Sequence, residues 1–327
     1  MADLTVELAG VPLRNPLLLA SGIWGETGAS MAAAYAAGAG GVVTKSIGAE
    51  PRSGYPNPTV EPLGPVGLLN AMGLPNPGMD EYPAEIEVAR ASGAPVIGSI
   101  FAAAPREFAA LARRMAGTGV VALELNLSCP HAHGYGSEIG SDPRRVERIV
   151  RSVVAAVDLP VLAKITPNTA DPAGLARAAE RGGAHAISAI NTVRALGIDV
   201  TLARPVLAHG LGGLSGPAIK PVGLACVWQI FEALRIPIVG IGGIASADDA
   251  LEYLLAGARA VQIGTALSGP GVALFGTIAR DLASRLDALG IDRWEEAVGR
   301  AHGRPPSSAV QQAPARLRRP SKPRRAP

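Results

Sequence analysis

Cysteine is scarce, with Cys129 and Cys226 the two in 327 residues. Two thiols make no disulfide framework and fit a reducing compartment. An iron–sulfur cluster usually takes four cysteine ligands, so this chain alone does not supply a set. His131 and His133 follow Cys129, but no further His, Cys, Asp or Glu cluster has zinc-site spacing, and no metal is expected. Aromatic residues are only 4% of the chain. Ala, Val, Leu, Ile and Gly must therefore do the packing, which suits helices laid on a parallel sheet. Long apolar runs are missing, because glycines and charges interrupt each one, so no membrane span is expected. Met1-Ala2-Asp3 opens no basic-then-apolar signal sequence. These absences predict a cytoplasmic protein.

What is present is a large reserve of aliphatic residues: hydrophobic residues make up 48% of the chain. The formal net charge of +3 is unevenly spread. Residues 304–327 carry Arg304, Arg316, Arg318, Arg319, Lys322, Arg324 and Arg325 and no acid, so removing these seven charges from +3 leaves −4 for the rest. That segment is rich in Pro, Ser and Arg and reads as a disordered basic tail. It has no aromatic residue for stacking on bases, so nucleic acid is not the expected partner. Residues 1–303 form the predicted globular domain.

Short apolar runs alternate with longer amphipathic stretches along that domain. The runs are Leu17–Ala20, Gly41–Ser46, Pro95–Phe101, Val121–Ser128, Val161–Thr166, Ala186–Asn191, Ile236–Gly243 and Ala260–Ala266, which predicts eight buried parallel strands. Helices are predicted at Pro105–Ala116, Pro143–Val157, Pro172–Arg181, Pro217–Leu234 and Ala247–Leu255, each but the last opening with Pro, which suits a first helical turn. Eight strand–helix units are the count for a closed (β/α)₈ TIM barrel. An open doubly wound sheet is the alternative, but no GxGxxG loop follows the first strand. Residues 47–94 break the rhythm as a Pro- and Gly-rich connection between the second and third strands. A connection of that length in a compact domain is usually functional.

Polar and glycine residues collect at the C-terminal ends of the strands, where barrels build their sites. Gly242-Gly243 and Gly264-Thr265 end the last two strands and can offer backbone N–H groups to a phosphate. Lys45 and Lys164 end strands that point into the barrel mouth, where an anionic ligand would supply the counter-charge a buried lysine needs. Asn70, Asn126 and Asn191 carry amides that both donate and accept, matching a planar heterocycle with alternating C=O and N–H edges. Cys129 lies just past the fourth strand. A thiol with an ordinary pKa of about 8.5 is a usable proton acceptor near neutral pH. Cys226 lies inside a predicted helix and reads as packing.

These residues resemble the dihydroorotate dehydrogenase family, its soluble class-one branch in particular, over about residues 3–300. The resemblance rests on the stretch 70–78 (Asn-Ala-Met-Gly-Leu-Pro-Asn-Pro-Gly), on Glu124 to Pro130, on Asn191-Thr192 and on 212–221 (Gly-Gly-Leu-Ser-Gly-Pro-Ala-Ile-Lys-Pro). It implies an FMN barrel. The flavin phosphate would meet Gly242, Gly243, Gly264 and Thr265, with Gly216 nearby. Ser21, Lys45, Ser46, Ser99, Asn126, Lys164 and Ile190 would surround the ring and ribityl chain. Orotate would be held by Lys45, Asn70, Ala71, Met72, Gly73, Leu74, Asn126, Asn191 and Thr192, with Cys129 as the base. Many members have Asn after Cys-Pro where this chain has His131. The stretch from Cys129 to Gly136 is similar to the archaeal-type branch, and Cys-Pro-His also occurs in dihydropyrimidine dehydrogenases. The stretch 124–142 leans towards the NAD-linked branch, in which a second subunit carries FAD and a 2Fe-2S cluster; a homodimer or heterotetramer is then expected. The competing readings are a flavin-dependent reductase of uracil or thymine and a non-redox lyase or isomerase that holds a substrate phosphate.

Overall fold

The computed structural model describes residues 1–127 and 140–303. Eight parallel strands close into a barrel in chain order: β1 Leu17–Leu19, β2 Gly41–Val43, β3 Val96–Ile100, β4 Ala122–Asn126, β5 Val161–Lys164, β6 Ala186–Ala189, β7 Ile238–Ile241 and β8 Ala260–Ile263. Every predicted run contains its strand. They are legible because a strand covered on both faces is largely apolar: Leu17 to Leu19 and Val161 to Ala163 are all apolar and buried.

A helix follows each strand: α1 Gly28–Ala36, α2 Pro83–Ala91, α3 Pro105–Ala116, α4 Pro143–Val154, α5 Pro172–Arg181, α6 Lys220–Ala233, α7 Ala247–Leu255 and α8 Leu274–Ala288. The starts of α4, α5 and α7 follow from side-chain caps. Asp142 accepts from the Arg144 N–H, Asp171 from Gly174 and Ser246 from Asp249, each satisfying a backbone donor that the first turn leaves unpaired. Phe108, Leu111, Ala112 and Met115 repeat at helical spacing on α3 and are buried against the barrel. Met115 comes so close that a Cβ on Gly98 of β3 would lie 2.6 Å from it, so strand and helix approach closely only because that position is glycine.

Two predicted helices are shorter than expected. The stretch 143–157 stops at Val154, and 217–234 divides into a 3₁₀ turn at Pro217–Ile219 and α6. The connection 47–94 is no bare loop, for it holds the strands Val60–Pro62 and Leu68–Asn70 as well as α2. A second excursion, missed in the sequence, leaves the end of β6 and contributes Val193–Ala195 and Gly212–Ser215. The four segments pair antiparallel, in the order 193–195, 212–215, 68–70, 60–62, as a small sheet over the C-terminal mouth. Leu69, Ala71 and Leu207 form its own small core. The basic tail at 304–327 and the segment 128–139, which contains Cys129, lie outside the described residues.

The opposite end is closed by a hairpin, Val6–Leu8 with Val11–Leu13, and by the end of the domain. Arg259, at the entry to β8, donates to the Glu7 carbonyl at 2.6 Å and pairs with Glu295 at 2.8 Å. Trp294 is fully buried, its Nε1 donates to the Arg259 carbonyl at 2.9 Å, and its backbone N–H donates to Asp3. Residue 294 therefore ties the N-terminal segment, through its backbone, and the last part of the described domain, through its indole, to the floor of the barrel. Trp294→Ala should cost about 3–5 kcal/mol by the large cavity and the lost hydrogen bond. Urea unfolding of the variant against the parent measures this, and a loss below about 1 kcal/mol would remove the indole from that role.

Candidate functional site at the barrel mouth

The strand ends and the small sheet enclose a cavity of roughly 310 Å³, at the small end of the range for cofactor and ligand sites. From the first two strands it takes Ser21, Lys45 and Ser46; from the middle strands, Asn126, Lys164, Ile190, Asn191 and Thr192. Gly242, Gly243, Gly264 and Thr265 come from the last two, and Gly216 from the turn after the sheet. Asn70, Met72, Gly73 and Leu74 close it from above.

Two of the expected residues do not line the cavity. Ser99 lies within β3, opposite Glu124 of β4, and is fully buried. It reaches the site only through Ser46, at 2.8 Å between the hydroxyls. Ala71 packs with Leu69 and Leu207 in the core of the covering sheet. An alternating strand sends neighbours to opposite faces, so Asn70 and Ala71 cannot both face the cavity. Cys129 belongs to the segment outside the described residues.

The polar side chains form a continuous rim. The Asn191 amide donates to the Asn126 Oδ1 at 3.3 Å, and the Asn126 amide donates to the Ser46 hydroxyl at 3.0 Å. Ser46 then meets Ser99, and Ser21 at 3.3 Å. The ends of β1, β2, β4 and β6 are thereby linked around the opening. Above them the Asn70 amide donates to the Gly213 carbonyl at 3.2 Å, tying the two excursions together.

Each lysine has a protein counter-charge, which changes the argument made from sequence. Lys45 pairs with Glu26, whose side chain is 58% exposed. Lys164 pairs at 3.5 Å with Glu124, whose side chain has no exposure. The Glu124 carboxylate also accepts from Ser188 at 2.8 Å and from the Gln262 amide at 2.6 Å. Thus β4, β5, β6 and β8 meet at one carboxylate beneath the cavity.

The glycine end is shaped by close approach. Gly242 and Gly243 have φ of +126° and +69°, and a Cβ on Gly243 would lie 2.8 Å from both the Gly216 carbonyl and the Lys220 Cβ. Tyr253 donates to the Gly242 carbonyl at 2.8 Å; burial pushes its phenol well above the ordinary range, so it remains a donor. Among the described residues, the backbone N–H groups of Gly243, Gly264 and Thr265 make no hydrogen bond. Three unclaimed donors at two adjacent strand ends suit an anion. Burial pushes the Cys226 thiol up to about 11, which leaves it a neutral packing group, as its helical place suggested.

A family model described as dihydroorotate dehydrogenase matches residues 3–286. The chain belongs to the dihydroorotate dehydrogenase family. Three relatives carry the name dihydroorotate dehydrogenase B (NAD(+)), catalytic subunit. The protein of Pyrococcus furiosus is 50% identical over 91% of this chain and 99% of its own length. That of Methanocella arvoryzae is 46% identical over 91% and 98%, and that of Thermoplasma acidophilum 47% identical over 91% and 99%.

Within this dihydroorotate dehydrogenase fold, sequence reading missed Glu124, Ser188 and Gln262 as a set. Their signal is a polar residue in the middle of an otherwise apolar strand, as in Ala122–Asn126 and Ala260–Ile263. A lone polar residue in such a run names no partner, and only barrel closure brings strands β4, β6 and β8 together. Gly243→Ala should cost roughly 1–3 kcal/mol, since the new methyl group meets backbone at a positive φ. Denaturant unfolding checks this, and an unchanged midpoint would mean the two loops separate freely.

Proposed function

We propose that the protein oxidises (S)-dihydroorotate to orotate, with FMN as the bound flavin. NAD⁺ would be the final electron acceptor, reached through a second subunit. The observation that carries this reading is a single cavity with two unlike ends. One end has the unclaimed N–H groups of Gly243, Gly264 and Thr265, and the other has Lys45 with the amides of Asn70, Asn126 and Asn191. Family membership supports the same assignment.

The residues fit a flavin mononucleotide. The phosphate would take the donors of Gly243, Gly264 and Thr265, with Gly216 and Gly242 alongside. Ser21, Ser46, Asn126, Lys164 and Ile190 would hold the ribityl chain and ring, and Ser99 would act through Ser46. The flavin, when bound, supplies a hydride acceptor.

The chain's own residues orient the substrate and move one proton. Lys45 would leave the exposed Glu26 and neutralise the substrate carboxylate. The amides of Asn70, Asn126 and Asn191, with Thr192, would hold the C=O and N–H edges of the ring. Met72, Gly73 and Leu74 would exclude water from above. Cys129, three residues beyond Asn126, would take the proton from C5 while a hydride leaves C6, so the ring loses two protons and two electrons in all, one proton to the thiolate and the hydride to the flavin. Lys164 would stabilise negative charge on the acceptor.

The relatives' designation as catalytic subunits supports a partner that carries FAD and a 2Fe-2S cluster. Exposed Leu196, Ile198, Val200 and Leu202 on the second excursion support an assembly in which that arm is covered. Among the described residues no helix is long and apolar enough to cross a membrane. Few cysteines support a cytoplasmic location.

Anaerobic addition of dihydroorotate should bleach the flavin absorbance of the purified protein, and NAD⁺ with the partner subunit should restore it. A colourless protein that takes up no added FMN would overturn the redox reading in favour of a non-redox barrel. Lys45→Ala should weaken orotate binding more than FMN binding, and equal losses in the two titrations would favour a neutral pyrimidine instead. Cys129→Ser should slow turnover at neutral pH by roughly two orders of magnitude or more, with partial recovery at higher pH. A variant nearly as fast as the parent would assign the proton to another group.

A further inference from the structure

Gln262 lines the cavity yet is only 1% exposed, and its Oε1 has no hydrogen-bond partner among the described residues. A buried acceptor left unmade is destabilising, so its presence in a wall of a ligand site calls for a donor. The orientation of the amide is determined by its neighbour. Its Nε2 lies 2.6 Å from the Glu124 Oε2, and a carboxylate can only accept, so the nitrogen faces Glu124 and the oxygen faces away. Ser188 secures that carboxylate from β6, and Lys164 pairs with it from β5. One buried carboxylate therefore presents two groups of opposite kind: the Lys164 ammonium as donor and the Gln262 Oε1 as acceptor.

We infer that Gln262 reads an imide N–H of the bound ring, and that Glu124 is the positioning residue that holds Gln262 in the accepting orientation. Adjacent donor and acceptor match the C=O and N–H of a pyrimidine-dione edge. Under the flavin reading, on which this rests, that edge is the C2 carbonyl and N3–H of the isoalloxazine: Lys164 donates to the carbonyl and Gln262 accepts from the nitrogen. The ring would thus be selected by its pyrimidine edge as well as by its phosphate.

The test compares FMN with 3-methyl-FMN, which lacks the N3–H, by fluorescence titration of flavin-free protein. The parent should bind FMN roughly tenfold or more tightly than the methylated form, because the methyl group leaves the acceptor unpaired. Gln262→Met should bring the two affinities to within about twofold of each other. Glu124→Gln frees the facing amide to turn and should reduce the preference as well. Ser188→Ala keeps the Glu124–Gln262 contact and should retain it. A parent with equal affinity for the two flavins, or a Gln262→Met or Glu124→Gln variant that keeps the full preference, overturns the assignment. A parent that binds neither flavin would instead refute the cofactor reading, so the two failures are distinct. The affinity ratio is internal to each protein, and a general loss of stability does not imitate its collapse.

Discussion

A carboxylate with no solvent exposure lies under the candidate site, and the chemistry above it depends on how that charge is met. Burying an unpaired carboxylate would be prohibitive. Glu124 is met by a lysine ammonium, a serine hydroxyl and a glutamine amide, from three other strands of the barrel. The set is net neutral. Removing one partner from such a buried pair commonly costs about 3–5 kcal/mol, whereas replacing the whole set by apolar groups can be neutral. Stability alone therefore gives little reason to place the set at the mouth. Its effect is to hold Lys164 in one place on the cavity floor and to aim the oxygen of Gln262.

The covering sheet has a different character. It is built from two excursions, one after β2 and one after β6, joined by backbone pairing between Gly212–Ser215 and Leu68–Asn70. Its core is small, with Leu69, Ala71 and Leu207 at its centre. The barrel beneath has a core running from Ala2 to Val298. A region held by few buried apolar contacts opens at lower free energy than one embedded in the main core. The architecture thus combines a firm floor with a lid that can part, as a site that admits and releases a ring requires.

How much of this is legible in the sequence depends on the range of the interaction. The eight strands are legible because each is largely apolar on both faces, and helices α3, α5 and α7 because Pro or a capping Ser marks the start of a periodic run. The terminal hairpin is two strands of three residues, too short for a pattern. The second excursion resembles a polar loop until its pairing with the first is known. At the site, residues that end or follow strands, such as Lys45, Asn126 and Gly243, are legible from position alone. Ala71 was drawn in by its neighbours in a contiguous motif, although alternation turns it away. Ser99 is one strand step too deep to reach the cavity. Gln262 and Glu124 are 138 residues apart, and only barrel closure brings them within one hydrogen bond.

The two lysines show why the counter-charge matters as much as the charge. Lys45 is mostly buried, but Glu26 is more than half exposed, so water can solvate that carboxylate when Lys45 leaves. Lys45 can therefore exchange one carboxylate for another without stranding a buried charge, provided the substrate carboxylate takes the place of Glu26. Glu124 has no water to fall back on, so Lys164 cannot leave it without stranding a buried charge. An exchangeable cation suits a substrate that must arrive and depart on every turnover, and a fixed cation suits a cofactor that stays. The exposure of two glutamates thus divides the cavity into a side for each, consistent with the roles proposed for the lysines.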